Sequence, residues 1–233
     1  MLDHGATEDE DTLGRAMGRE VHRLILEPDS EPDYVIWEGG DRRGKAWKEF
    51  EAANFGKTIF KPNEVAHCNK MAEAVASHPA AKSLLKGCAF EYVLEWRDPQ
   101  TGLACKGRLD AVKPGVLIDI KSCASIGPRQ FARTAAEMGY HLQLAHYSNG
   151  IKAIRGYFPA KIYIIAVEVR PPYDVAVYEI GPEPMEIAQM ELAYTMKLLK
   201  TCIDRQEWPG IASEPQTLAF PGYIFGEGEV TIK

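Results

Sequence analysis

Asp110, Asp119 and Lys121 are the residues whose types and spacing point most directly to chemistry. Asp119 and Lys121 lie two apart in the apolar run Val116-Leu117-Ile118-Asp119-Ile120-Lys121, which reads as a strand, so both side chains share one of its faces. Asp110 lies near the end of the preceding strand-like stretch, and the Lys113-Pro114-Gly115 turn brings it alongside. Two carboxylates meeting at a strand edge form a hard-oxygen site suited to Mg2+ or Mn2+. A lysine beside such a cation can orient a water or steady a phosphorane oxygen, which are the parts that phosphodiester hydrolysis requires. Read alone, the same residues also describe a buried Asp–Lys ion pair or a strand with a polar face, because an acid and a lysine are costly to bury without partners.

Three further positions extend the candidate site. Gln143 and Tyr147 are four apart in a helical pattern and so share a face that could hold a phosphate or position Lys121; a surface glutamine beside a core-edge tyrosine is the plainer alternative. His22 follows Gly18 by four residues in another helical pattern, and imidazole can ligate Mn2+ or Mg2+, although a lone helical histidine is usually structural. Glu91, in a strand-like stretch, could add a carboxylate or could be an exposed strand residue.

The elements that must position these residues follow from the periodicity. Leu13, Met17, Val21, Leu24 and Ile25 predict a helix over 12–27, ended by Pro28. An irregular connection over 28–46 surrounds a short strand at Tyr34–Trp37, and helices are expected over 46–54, 62–77 and 80–86. Phe90–Trp96, Ala104–Val112 and Val116–Lys121 read as a three-strand meander joined by turns at 98–102 and 113–115. After Gly127-Pro128 a single long helix is expected to about Ile154, then strands at Lys161–Arg170 and Val175–Ile180, and an amphipathic helix from Pro182 to about Asp204. The order predicts an α/β class with a mixed sheet. Residues 1–11 read as a loose tail, 12–205 as a single domain, and 206–233 as a Pro/Gly-rich extension or arm.

Composition bounds the function classes. The 233 residues are 45% apolar and 26% charged, ordinary for a globular protein. No apolar run reaches the length of a membrane span, and the acidic N-terminus is unlike a secretory signal, so a cytoplasmic protein with no membrane partner is expected. The five scattered cysteines form no CxxC pair and read as reduced, mostly buried thiols. The formal net charge of −6 argues against nucleic acid when taken alone. Its distribution argues otherwise: residues 1–55 hold 14 acidic and 7 basic residues, whereas residues 105–170 hold 10 basic and 4 acidic ones, two of which are Asp110 and Asp119. A basic middle on an acidic chain suits a DNA contact confined to one face, and equally a chance fluctuation on a solvated surface. No Gly-xxxx-Gly-Lys-Ser/Thr sequence is present, so no ATPase motor of that kind is indicated.

Gly107-Arg108-Leu109-Asp110, Ile118-Asp119-Ile120-Lys121 and Gln143-xxx-Tyr147 together resemble the PD-(D/E)xK nuclease superfamily, the last element being typical of its RecB-like branch. Gly18-Arg19-Glu20-Val21-His22 leading into Leu26-Glu27-Pro28, Gly44-Lys45-Ala46-Trp47-Lys48, Met71 to His78-Pro79, and Glu91 to Asp98 extend the likeness to the RecE-type family (exonuclease VIII C-terminal nuclease) over about residues 13 to 205. The resemblance implies a restriction-endonuclease-like core with a central mixed β-sheet flanked by helices. It implies a Mg2+-dependent exonuclease, with Mn2+ able to substitute, acting 5′→3′ on double-stranded DNA ends and leaving 3′ single strands for a recombinase or single-strand annealing protein. It implies His22, Asp110, Asp119 and the Ile120 backbone carbonyl as metal ligands, with Glu91 carried over less directly. Lys121, Gln143 and Tyr147 join the two aspartates as catalytic residues, with Arg108, Ser122 and Arg129 as DNA contacts. It also implies a homo-oligomer, a ring and often a tetramer. Asp119 departs from the commoner glutamate at its position. The alternatives are a PD-(D/E)xK endonuclease, a Cas4-like nuclease lacking the iron–sulfur cluster (only Cys202 lies near the C-terminus), and a non-catalytic DNA-binding module, which would be expected to lack a ligand or the lysine.

Overall fold

A computed structural model describes residues 12–219. The expected tail over 1–11 and the extension beyond 219 lie outside the described residues; residues 207–219 carry no helix or strand. The first element of the described residues is α1 (Leu13–Leu26), whose N-terminus is capped by the Thr12 hydroxyl accepting from the Arg15 N–H at 3.3 Å. Next come β1 (Tyr34–Ile36), α2 (Gly44–Ala53), β2 (Thr58–Phe60), α3 (Pro62–Ser77) and α4 (Pro79–Leu85). The meander follows as β3 (Ala89–Arg97), β4 (Ala104–Lys113) and β5 (Val116–Cys123), then α5 (Pro128–Glu137), α6 (Tyr140–Arg155), β6 (Lys161–Glu168), β7 (Val175–Glu179) and α7 (Pro182–Arg205).

Five strands form one mixed sheet in the order β3-β4-β5-β6-β7, antiparallel except for the parallel β5–β6 pair. The parallel pair needs a crossover connection, and α5 and α6 supply it. One face of the sheet packs on α1 and α3 through Val21, Met71, Val75, Ile118, Ile120 and Ile165. The other packs on α6 through Leu94, Leu109, Leu117, Leu144, Ile151 and Ile164. Burial on both faces explains the near-continuous apolar runs of β5 and β6. All five cysteines are unpaired, with Cys68 and Cys123 buried and the other three half-buried, so the thiols are less sequestered than expected. Among the described residues no helix is long and apolar enough to cross a membrane.

Two features differ from the sequence reading. The single helix expected after Pro128 is two helices, because Gly139 adopts a left-handed conformation (φ +67°), ends the run of α5 and serves as the N-cap of α6. A strand not anticipated, β2, pairs in parallel with β1 in a separate two-stranded sheet; three residues between Gly56 and Pro62 are too few for periodicity to reveal.

α6 lies close on β3. A Cβ built on Gly150 would stand 2.8 Å from the Trp96 ring, so the glycine is what lets the helix approach. Gly150→Ala should therefore lower thermal stability, the overpacking cost of about 1–3 kcal/mol exceeding the roughly 1 kcal/mol gained in helix propensity. Gly14→Ala, where nothing lies within 4 Å, should not lower it. Thermal denaturation followed by circular dichroism checks the pair, and equal melting temperatures would overturn the packing argument.

Candidate active site

The β4–β5 ladder is short. It pairs Lys113, Val112 and Ala111 with Val116, Leu117 and Ile118, and there the strands part. The Ile120 N–H, which a β4 carbonyl would otherwise accept, donates to Asp110 Oδ2 at 2.6 Å. N–H and C=O of one strand residue point to the same side, so the Ile120 carbonyl also faces this opening. β4 changes face at the same point: Leu109 packs on the α6 side and Ala111 on the α1 side, although residues two apart should share a face. The neighbouring strand answers with Glu91, the third residue of β3, whose backbone is left-handed (φ +46°). Such a conformation is strained for a residue with a side chain, and strain of this kind clusters where a site must be held in place.

Side chains from both faces meet in this opening. α1 brings His22, whose Nδ1 lies 3.5 Å from Asp110 Oδ1. Lys121 Nζ stands 2.7 Å from Asp119 Oδ2 and donates to Gln143 Oε1 at 2.9 Å. Gln143 in turn donates through Nε2 to the Tyr147 hydroxyl at 2.9 Å, and the Tyr147 ring lies against Gly107 of β4. Tyr140, not anticipated from the sequence, places its ring 4.8 Å from the Lys121 ammonium; the helix break at Gly139 that puts it there was the missing signal. Arg108 Nε pairs with Glu91 Oε2 at 2.7 Å and otherwise projects outward.

Three carboxylates are thus buried or half-buried around one opening. His22, Glu91 and Asp110 each offer a ligand atom, all within 4.8 Å of one another. Asp119, 1% exposed, lies outside that group and turns toward Lys121. Both Asp119 oxygens and Glu91 Oε2 are buried without an aligned hydrogen-bond donor, their cationic neighbours approaching as ion pairs only. Buried polar atoms left in this state call for a partner. Carboxylate oxygens with one imidazole and an inward-facing carbonyl are a donor set that fits a hard divalent cation.

The electrostatics agree with the geometry. Burial pushes Asp119 up, the nearby Asp110 charge adds to it, and Lys121 offsets only part, leaving it at about 6. Burial would raise Asp110 too, but the hydrogen bond and charge of His22 and the Ile120 N–H hold it below the usual range. For His22, burial works downward and is outweighed by Asp110 and Asp119, so its pKa rises. Lys121 is likewise raised, burial being outweighed by Asp119 and Asp110, and stays charged. Burial raises Glu91 beyond what Arg108 relieves.

The remaining candidates are dispersed. Ser122 is half-buried on the face toward α1, its Oγ 3.6 Å from where a Gly18 side chain would begin. Arg129 is exposed on the first turn of α5. Outside the opening, a recess bordered by Arg19, His22, Tyr34, Phe60, Glu91 and Arg108 leads to the carboxylates from the α1 side.

A mixed sheet flanked by helices, with an Asp and an Asp-x-Lys at the parting of two of its strands, defines a restriction-endonuclease-like fold with a PD-(D/E)xK-type centre. The chain belongs to the family of PDDEXK-like domains of unknown function (DUF3799), whose model matches residues 2–218. PDDEXK nucleases are generally divalent-metal dependent. No curated protein matches the sequence significantly. Among solved structures, a protein from Eubacterium rectale provisionally assigned as an exonuclease superimposes with a TM-score of 0.62 over 95% of this chain and 82% of its own, at 13% identity, a likeness of fold.

The raised Asp119 gives a pH-dependent prediction. A folded pKa near 6, above the ordinary 3.8, means that this group's contribution to the metal-free fold is present at low pH and is lost as pH rises through about 6. A cation needs the carboxylate, so it competes with that proton. Thermal stabilisation by added Mg2+ or Mn2+ should therefore be larger at about pH 8 than at about pH 5, and should flatten in Asp119→Asn. Equal stabilisation at both values would show that Asp119 is not engaged.

Proposed function

We propose that this chain is a Mg2+-dependent deoxyribonuclease, with Mn2+ able to substitute, that hydrolyses phosphodiester bonds at double-stranded DNA ends. The observation that carries the reading is the Lys121 ammonium held between Asp119 and Gln143 beside carboxylate oxygens that lack donors. Asp110, Asp119, the Ile120 carbonyl and His22 would hold the cation, with Glu91 at its edge. When bound, the cation supplies Lewis acidity at the scissile phosphate and a lowered pKa for an attacking water. Lys121 directs a water at phosphorus and faces the oxygen on which charge develops, a task that requires the ammonium to stay protonated. As the new O–P bond forms and the opposite P–O bond breaks, the water's proton passes to solvent and the leaving oxygen takes one up. Gln143 and Tyr147 fix the lysine rather than touch the reacting atoms.

Arg108 and Lys121, each paired with a carboxylate of the site, would face the phosphates of a bound strand. Arg108, Arg129 and the basic middle of the chain would then contact the DNA backbone, which gives affinity without sequence preference. The RecE-type resemblance extends the proposal to 5′→3′ degradation that leaves 3′ tails for an annealing protein or recombinase. The provisional exonuclease assignment of the Eubacterium rectale protein is in line with this reading.

Incubation with Mg2+, linear duplexes bearing 5′-phosphorylated or blocked ends, and a closed circle tests the proposal. Nucleotide release that depends on a free end is expected. Cutting of the circle would favour an endonuclease, and no cleavage with any divalent metal by folded protein would overturn both. Lys121→Ala should lower turnover by about 100-fold or more while metal affinity, read by calorimetry, changes little. Gly107→Ala should also lower turnover, by about 10–100-fold, because its Cβ would stand 2.9 Å from the Tyr147 ring and displace the clamp on Lys121. Wild-type turnover in Gly107→Ala would show that the Tyr147–Gln143 chain does not position the lysine.

A further inference from the structure

We propose that α7 is the two-fold interface of a homodimer, in which the helix pairs antiparallel with its copy about Tyr194. This inference is independent of the nuclease reading. α7 runs for 24 residues, about 36 Å, and already has a packed side. Ala188 is buried, Met185, Leu192 and Met196 are half-buried, and Gln189 Nε2 donates to the Ala145 carbonyl of α6 at 3.1 Å. The opposite side is apolar as well. Ile187, Met190, Tyr194 and Leu198 are 59%, 75%, 69% and 48% exposed and lie in one row. A helix with apolar residues on both sides normally has both sides covered, and a continuous exposed row of this kind marks an interaction surface.

The row names its own partner. Glu183, Ile187, Met190, Tyr194, Leu198, Thr201 and Arg205 follow one another in steps of 4, 3, 4, 4, 3 and 4 residues, so they keep to one stripe of the helix. The steps read the same in both directions, with Tyr194 at the centre. Laid antiparallel on itself, the stripe sets Tyr194 on Tyr194, Met190 on Leu198 and Ile187 on Thr201. The Thr201 hydroxyl donates to the Lys197 carbonyl at 2.9 Å within its own helix, so its methyl group is what it offers outward. At the two ends Glu183 meets Arg205, opposite charges at both symmetry-related positions. A parallel copy would instead set acid on acid and base on base. An isologous contact of this form is self-complementary and closes as a dimer. The pairing row leaves the candidate site free, because it lies on the side of α7 opposite the one that bonds Ala145 of α6, whereas Gln143 and Tyr147 of α6 meet Lys121 and Gly107 of the sheet.

Sedimentation of the full chain over a range of concentrations tests this, with circular dichroism confirming that each variant is folded. The wild type should be a dimer that dissociates on dilution. Tyr194→Arg, which sets like charges on the axis, should be monomeric. Glu183→Arg and Arg205→Glu should each weaken the dimer by about tenfold, and the two together should restore it to within about threefold of wild type. A wild-type monomer would overturn the proposal, as would an oligomer that survives Tyr194→Arg or a double reversal no tighter than the single ones.

Discussion

The bond from the Ile120 N–H to the Asp110 carboxylate lets two sheet strands separate without leaving a buried backbone donor unsatisfied. Where a ladder frays inside a core, the orphaned N–H groups cost free energy comparable to lost hydrogen bonds. Here a side chain takes the place of the missing β4 carbonyl, and β5 keeps its full parallel pairing with β6 on the other side. The opening that results connects the two faces of the sheet. His22 reaches it from the α1 side, and Lys121, Gln143 and Tyr147 reach it from the α6 side. Asp110 therefore makes the space with one carboxylate oxygen and turns the other toward His22 within it.

Charge is balanced in pairs around that space. Asp110 lies beside His22, Asp119 beside Lys121 and Glu91 beside Arg108, so each carboxylate has one basic neighbour. Pairing lets the metal-free fold bury three acids, yet it does so incompletely, because two of the pairs lack hydrogen-bond alignment. A buried pair gains from mutual attraction only when geometry and further hydrogen bonds are good, so the arrangement is kept at some expense in stability. Such an expense is intelligible at a place where a divalent cation would satisfy carboxylate oxygens that the fold leaves without donors.

The chain's sequence made most of this legible, and for identifiable reasons. Asp-x-Lys in an apolar strand and Gln-xxx-Tyr in a helix are fixed by periods of 2 and 3.6, so Asp119 with Lys121, and Gln143 with Tyr147, could be grouped before any coordinates. Every strand of the main sheet was likewise marked by a turn or by continuous apolar residues. The face switch at Glu91 and Asp110 was not legible, because a period-2 reading assumes that each strand keeps its faces. Glu91 consequently read either as an added carboxylate or as an exposed strand residue, and the structure sets it with His22 and Asp110 at the opening. Gly139 was absorbed into a helical pattern that tolerates one glycine, and with it went the placement of Tyr140. The outer row of α7 was hidden differently: an amphipathic pattern was expected, and the helix is apolar on two sides.

The break at Gly139 ties these observations to the placement of Lys121. α5 is anchored by Phe131, which stacks on Tyr178 of β7 with ring centroids 5.1 Å apart. α6 must instead lay Gln143 and Tyr147 over Lys121 and Gly107, toward β5 and β4 at the other side of the parallel pair. One straight helix keeps a single axis and cannot satisfy both anchors. A left-handed glycine is the least strained way to change direction within a single residue, and it starts α6 so that Tyr140, Gln143 and Tyr147 project from one face at helical spacing. That face sets the Tyr140 ring and the Gln143 amide against the lysine, with the Tyr147 hydroxyl behind the amide. The position of the ammonium is thereby set by a helix docked on β4, the same strand whose Asp110 opens the sheet, so carboxylate and lysine are held in one frame.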